Sequence, residues 1–252
     1  MESLLIKGGV PLGGDVAISG AKNAVLPILA ATLLTREPCV IRRVPDLSDV
    51  KFMGQILAGL GARVRFEGNS VRVQAGKIKG SADYELVRKM RASICIMGPL
   101  LGRLKQASVS LPGGCVIGAR PINLHLKGFE ALGAKVTIEG GDVQASARRL
   151  VGADLFLGGR AGSTVLGTAN VMMAATLAEG VTMIESAACE PEVVDLAKFL
   201  NAMGARITGA GSPTVTITGV KELHGAELSR TSPSMPASVP EMELGQLPQA
   251  PW

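Results

Sequence analysis

Aromatic side chains are scarce in this chain: one Trp, one Tyr and five Phe make up 3% of its 252 residues. A surface for single-stranded nucleic acid needs stacking platforms along a basic groove, and this composition does not supply them. Histidine is scarcer still, at two residues. With only His125 and His224, and with Cys39, Cys95, Cys115 and Cys189 never at CxxC spacing, the ligand intervals of a zinc site are missing and reduced thiols are expected. Long apolar runs are lacking too. The longest, Ala24 to Leu34, contains Pro27 and falls short of the roughly 18–20 residues of a membrane span. No basic start with an apolar signal core precedes it, so the expected location is cytoplasmic. GxxxxGK[ST], GxGxxG after a strand, HExxH and GxSxG are all absent, which removes the signatures of nucleotide hydrolysis, dinucleotide redox chemistry and the common hydrolases.

What is present is a globular composition, 47% hydrophobic and 19% charged, with 32 glycines. The core is expected to consist of Val, Ile, Leu, Ala and Met, with many tight turns. The net charge of +5 comes from dispersed Lys and Arg rather than from runs. That pattern suits a small phosphorylated ligand better than a polyanion.

The chain resembles itself at a period of about 70 residues. Three apolar helices are expected at Ala24–Leu34, Ala92–Leu101 and Asn170–Ala178. A β-like run follows each, and then a proline opening a second helix at Pro45, Pro121 and Pro191. These second helices stop at near-identical signals, Leu60-Gly61-Ala62-Arg63, Leu132-Gly133-Ala134-Lys135 and Met203-Gly204-Ala205-Arg206, with glycine where the residue past a helix end takes positive φ. Alternating segments around Gly/Asn/Asp turns come next and predict a hairpin in each unit. The unit reads as helix, strand, helix and hairpin, preceded by a further strand, with the helices buried inward.

Two segments stand outside the repeat. Residues 1–21 read as two short strands that need a sheet from elsewhere. From Ser229 the chain loses periodicity and carries five prolines after Arg230, which predicts a disordered or frame-shifted tail over 229–252.

Two constellations can carry chemistry. Lys22-Asn23 and Arg91 stand at the entrances of the first two apolar helices, where a cation is either simply solvated or strengthens the anion site of a helix N-terminus. Their recurrence at matching repeat positions, with Gly20 nearby, favours the second reading. The other is Leu111-Pro-Gly-Gly-Cys115-Val-Ile-Gly118-Ala-Arg120-Pro121. A thiol in this glycine-rich loop is accessible, and Lys22 and Arg120 would lower its pKa so that it serves as nucleophile or general acid. Cys39, Cys95 and Cys189 read as small buried residues, and Met172-Met173 as core filler. His125 stands ten residues past Cys115 and could pair with it, but no further hydrolase context accompanies the couple.

Ser19-Gly-Ala-Lys-Asn-Ala24, Met90-Arg-Ala-Ser93, Ser110–Pro121 and Glu190-Pro-Glu-Val-Val-Asp195 together resemble the UDP-N-acetylglucosamine 1-carboxyvinyltransferase family, the enolpyruvyl transferases of peptidoglycan synthesis. The resemblance runs from residue 1 to about 228. The cysteine loop separates this family from the sister 5-enolpyruvylshikimate-3-phosphate synthases. The resemblance implies an α/β (α+β) fold, an inside-out α/β barrel or α-β prism of three βαβαββ-type units over 22–228, with residues 1–21 donated to a second domain.

It also implies that Lys22 and Asn23 hold phosphoenolpyruvate and that Arg120 contacts its phosphate. Arg91, Arg120, Pro121, Ile122, Asn123 and Leu124 would line the UDP-N-acetylglucosamine site, with Arg160 and Thr164 on the uridine. Cys115, the fosfomycin target, would protonate or transiently bond the enolpyruvyl carbon. No metal or organic cofactor enters this scheme. Asn123 stands where the family commonly has aspartate, and the 158–164 segment is longer than in some relatives. The family continues past His224-Gly-Ala-Glu227 into a second domain that supplies an aspartate base and further arginines. The chain is therefore read as truncated or frame-shifted after its first large domain. As such it is an enzyme only as encoded at full length, or a catalytically silent UDP-sugar-binding fragment.

Overall fold

The computed structural model describes residues 5, 9, 19–111, 122–160 and 162–229. The strands expected within 1–21 and the tail expected after 229 lie outside these residues.

The first unit comprises helix α1 (Lys22–Ala31), prolonged by a 3-10 turn at Thr32–Leu34, strand β1 (Pro38–Ile41), helix α2 (Ser48–Gly59) and the hairpin β2 (Arg63–Glu67) and β3 (Ser70–Gln74). A short helix α3 (Tyr84–Val87) leads to the second unit. There a 3-10 turn at Arg91–Ile96 runs into α4 (Met97–Leu104), followed by β4 (Gln106–Ser110), α5 (Asn123–Ala131), β5 (Lys135–Glu139) and β6 (Asp142–Ser146). The third unit holds β7 (Asp154–Phe156), α6 (Val165–Ala175), β8 (Val181–Glu185), α7 (Pro191–Ala202), β9 (Arg206–Thr208) and β10 (Thr214–Thr218), and β11 (Glu227–Leu228) comes last.

Three sheets result, ordered β11-β1-β3-β2, β4-β6-β5 and β7-β8-β10-β9. Eight of the ten residues of α1 and nine of the eleven of α6 are buried, so the apolar helices form the interior and the sheets the outside. A helix apolar on all sides has to sit in a core, and there α6 packs on both α1 and α4.

The glycine stops behave as the sequence predicts. Ala62, Ala134 and Ala205 donate their N–H groups to Leu57, Phe129 and Leu200, and Gly61, Gly133 and Gly204 stand at φ +105, +89 and +99. Each is a Schellman end in which glycine meets no Cβ penalty. The strand expected ahead of each unit is β7 in the third, where it pairs parallel with β8, and a single parallel bridge from Ser81 to Ser108 in the second. In the first unit it comes from the far end of the chain: β11 pairs parallel with β1, Val40 opposite Glu227 and Ile41 opposite Leu228. Arg42 ion-pairs with Glu227, and Glu37 Oε2 accepts from the Gly225 N–H at 2.8 Å, so both ends of the repeat are tied into one sheet.

Three expected helices start differently. The one expected over 170–178 is α6, which begins five residues earlier at Val165 behind the Thr164 cap. α2 begins at Ser48, because Leu47 N–H closes a turn onto the Pro45 carbonyl first. The helix expected over 92–101 is split at Ile96/Met97. Pro99 has no N–H to give to Cys95, and the Gly98 N–H goes to Asn170 Oδ1 at 2.8 Å rather than to its own helix. α4 then crosses α6 through small residues, Gly98 against Asn170 and Gly102 against Ala174.

At the helix C-terminal end, Arg103 donates to the carbonyls of Leu33, Thr35, Ala75 and Gly76 at 2.7–2.9 Å. It thereby satisfies acceptors that helix and strand ends leave over and complements the negative end of the dipoles. Burial, with Arg36 nearby, pulls its pKa below the ordinary arginine value. No helix among the described residues is long and apolar enough to cross a membrane.

Candidate functional site

The helix starts gather at one end of the molecule. Lys22, the first residue of α1, places Nζ 2.8 Å from Oδ2 of Asp49 in the first turn of α2. α1 also packs against the Arg91–Ile96 turn. Gly98 near the start of α4 and His125 near the start of α5 are joined through Asn170, midway along α6, which also bonds to Ile94 of the 3-10 turn. Thr168 in α6 accepts from the Ala188 N–H at 3.1 Å, just ahead of α7. Partial positive charges of several helices therefore converge on one region, an anion-binding arrangement before any side chain is counted.

Most of the residues singled out in the sequence stand on that end. Lys22 and Asn23 are exposed at the head of α1, and Arg91 opens the 3-10 turn half-buried. Ile122 is the N-cap position of α5, Asn123 its exposed first residue and Leu124 its second. Thr164 caps α6, its Oγ1 accepting from the Gly167 N–H at 3.2 Å. Arg160 is exposed in a loop closed by reciprocal bonds between Gly159 and Gly162 at 2.9 and 3.0 Å. Leu124 packs on Gly159, where an added Cβ would lie 3.2 Å from its Cδ1, and so joins this loop to the start of α5. Cys115, Arg120 and Pro121 lie outside the described residues.

Three features carry no sequence signal strong enough to find them beforehand. Asp49 holds the Lys22 ammonium, so an incoming anion has to share or displace a carboxylate, and an exposed pair of this kind is weak enough to yield. Its only hint is an acid in a first helical turn. Asn170 looks like the opening of an apolar run yet is a fully buried polar hub. His125 is buried, and desolvation, with the Arg91 charge beside it, lowers its pKa from 6.5 to about 4, so it is neutral at physiological pH. Among the described residues no group of three or more His, Cys, Asp or Glu converges to hold a metal ion.

The cysteines divide unevenly. Cys39 and Cys95 are buried as the sequence suggests, and burial raises both thiols, Cys95 to about 12. Cys189 corrects the expectation: it is exposed, because it follows the buried Ala187-Ala188 pair on the way to the start of α7. A mass-mapped alkylation time course should modify Cys189 while Cys39 and Cys95 stay at least about a hundredfold slower, since only thiolates react. Rapid modification of Cys95 in the folded chain would contradict its burial.

A family model described as EPSP synthase (3-phosphoshikimate 1-carboxyvinyltransferase) matches residues 6–231. The chain belongs to the EPSP synthase family. Within this family it is 60% identical, over 90% of its length and 54% of the relative's, to a UDP-N-acetylglucosamine 1-carboxyvinyltransferase of Methylacidiphilum infernorum (isolate V4). A protein of the same name from Akkermansia muciniphila is 58% identical over 89% of this chain and 53% of its own. The chain spans about half the length of the curated relatives it matches. Among solved structures, the enolpyruvyl transferase NikO from Streptomyces tendae superposes with a TM-score of 0.76 at 23% identity, covering 88% of this chain and 53% of that one. EPSP synthase from Acinetobacter baumannii gives 0.69 at 18% identity, covering 86% and 49%. These two likenesses establish the fold: three helix-and-sheet units with the helices inside.

Proposed function

We propose that this chain is the cysteine-loop half of an enzyme that transfers the enolpyruvyl group of phosphoenolpyruvate to the 3′-hydroxyl of UDP-N-acetylglucosamine with release of phosphate. One observation carries the reading. Lys22, Asn23, Arg91, Asn123, Leu124 and Thr164 stand at helix starts that meet at one end, in a chain 60% identical to a relative bearing that enzyme name.

In this reading the sugar oxygen adds to C2 of phosphoenolpyruvate while C3 takes a proton. Loss of that proton and departure of phosphate then leave the enol ether. Lys22 and Asn23 hold phosphoenolpyruvate and Arg120 its phosphate, while Cys115 is the proton donor to C3. Arg91, with residues 120–124, receives the UDP-sugar, and Arg160 and Thr164 approach the uridine. Fixed cations and helix dipoles are worth most when water is excluded from around developing charge. The base for the sugar hydroxyl and further cations for the carboxylate belong, in this reading, to the part of the relatives that this chain does not span. No metal or organic cofactor is required.

A second reading, a half-site that binds the UDP-sugar without turnover, rests on Arg91 and the head of α5 alone, the residues read as receiving that ligand. Calorimetric titration of UDP-N-acetylglucosamine tests the shared element. Wild type is expected to bind, and Arg91→Ala and Arg120→Ala each to weaken binding by about tenfold or more, as loss of a charge-assisted contact does. Absence of binding by wild type would overturn both readings for this chain. Phosphate release from the two substrates by the 252-residue chain would decide against the second.

A further inference from the structure

Asn170 lies in the apolar helix α6 with no exposed surface. Its Oδ1 accepts from the Gly98 N–H at 2.8 Å, and its Nδ2 donates to the Ile94 carbonyl and to His125 Nδ1, both at 2.9 Å. Gly98 N–H and Ile94 C=O are four residues apart, the pair that an unbroken α-helix would join directly. The carboxamide therefore sits inside a gap in the helical ladder and completes both halves, and a side chain inserted in this way changes the local helical geometry. Upstream of the gap the backbone is a 3-10 turn, and its first residue is Arg91.

The third contact defines the imidazole. Both Nδ2 hydrogens of Asn170 are donated, so His125 Nδ1 has to be a bare acceptor and the ring hydrogen belongs on Nε2. An imidazolium could not accept this bond. The charged and titratable groups around the ring act in the same sense or stand away from it. Arg91, on the 3-10 turn, disfavours a second positive charge. Cys95 on that turn is a buried thiol with a raised pKa. α6 contributes no titratable residue, and Arg103 of α4 is committed to carbonyls at the opposite end. On α5 itself, Lys127 donates to the Phe156 carbonyl and Glu130 is exposed, and on the strands packed against α5 the charged residues Lys135, Glu139 and Asp154 are exposed.

We propose that Asn170 is a positioning residue of the ligand-binding end: it splices the break before α4 and holds His125 neutral with its hydrogen on Nε2, and so fixes where Arg91 stands beside the first turn of α5. The proposal rests on the functional reading above only for the ligand that Arg91 meets. It makes the charge of this corner independent of pH across the physiological range, because the imidazole next to Arg91 cannot accept a proton without giving up the Asn170 bond.

Nitrogen-15 NMR reads the imidazole directly, since the chain has two histidines and His224→Gln leaves His125 alone. In wild type Nδ1 should be unprotonated from about pH 8 down to about pH 5.5. Asn170→Asp keeps the volume and the acceptor for Gly98 but offers His125 an acceptor. It should place a proton on Nδ1, shift the Arg91 side-chain resonance and weaken UDP-N-acetylglucosamine by about tenfold. A wild-type Nδ1 that carries a proton at neutral pH overturns the proposal, whether or not the variant folds. So does an Asn170→Asp spectrum that leaves His125 or Arg91 unmoved, or a shifted Arg91 with unchanged affinity. If wild type binds no UDP-sugar, the functional reading falls instead, and the His125 and Arg91 resonances decide the positioning role without ligand.

Discussion

Acidification from pH 7 to pH 4 is expected to cost the fold about 3 kcal/mol through one side chain, His125. The ring is buried between α5 and α6, with Nδ1 engaged by Asn170 and Arg91 close by. Burial first, and the Arg91 charge second, lower its pKa from 6.5 to about 4. The folded state thus resists the proton that the unfolded chain accepts. The His125 contribution is fully present above the unfolded value of 6.5, declines as pH falls below it, and is exhausted once pH has passed the folded value near 4. The two values stand about 2.5 apart, which corresponds to about 3 kcal/mol. Carboxylates paired in the fold, such as Glu227 with Arg42, slope the same way. The decisive quantity is therefore the difference between wild type and His125→Gln in urea unfolding measured across this range. The variant should start lower and lose about 3 kcal/mol less on acidification; parallel curves would show that the imidazole is not held neutral by the fold.

Replacing Gly98 by alanine is expected to destabilise the chain by about 2–4 kcal/mol, although alanine is the better helix former. A Cβ at this position would lie 2.3 Å from the Asn170 carbonyl oxygen and 2.8 Å from its Oδ1. The first of these is backbone of the facing helix, so relief requires α4 and α6 to move apart in the middle of a close-packed core. The movement would also stretch the bond between Gly98 N–H and Asn170 and loosen the turn that carries Arg91. Gly102, one turn on, is the control. Its added methyl would meet Ala174 and Leu34 at 3.4 Å, ordinary contact, and Gly102→Ala should change stability by less than about 1 kcal/mol. Equal effects at the two positions in denaturant titrations would show that the crossing is not as close as the structure has it.

Much of this architecture is local enough to be read along the chain. The stops at Gly61, Gly133 and Gly204 are legible because the Schellman bonds they make reach back only to Leu57, Phe129 and Leu200. The hairpins are legible because alternation and turn residues lie next to one another. Lys22, Asn23 and Arg91 announce themselves as polar residues at the heads of apolar runs.

The features that escaped are those whose partners lie far away in sequence. Nothing near Glu227-Leu228 signals that these residues enter the sheet of Pro38–Ile41, since the pairing closes a loop of nearly the whole repeat. The break before α4 follows partly from Pro99, a local cause, but its repair comes from Asn170 in another unit. Cys189 carries the same composition cues as Cys39 and Cys95 yet is exposed, because burial depends on what the neighbouring elements cover.

The sequence by itself determined the threefold unit, the glycine stops of its second helices, the family, and which cations head which helix, because each of these is written in near-neighbour spacing and residue type. Only the tertiary structure decided that Asp49 holds Lys22, that Asn170 completes the ladder next to Arg91, that His125 is a neutral acceptor, and that β11 pairs with β1. Hydrogen bonds and desolvation depend on distances between groups, and chain folding alone brings together residues that the sequence keeps tens of positions apart.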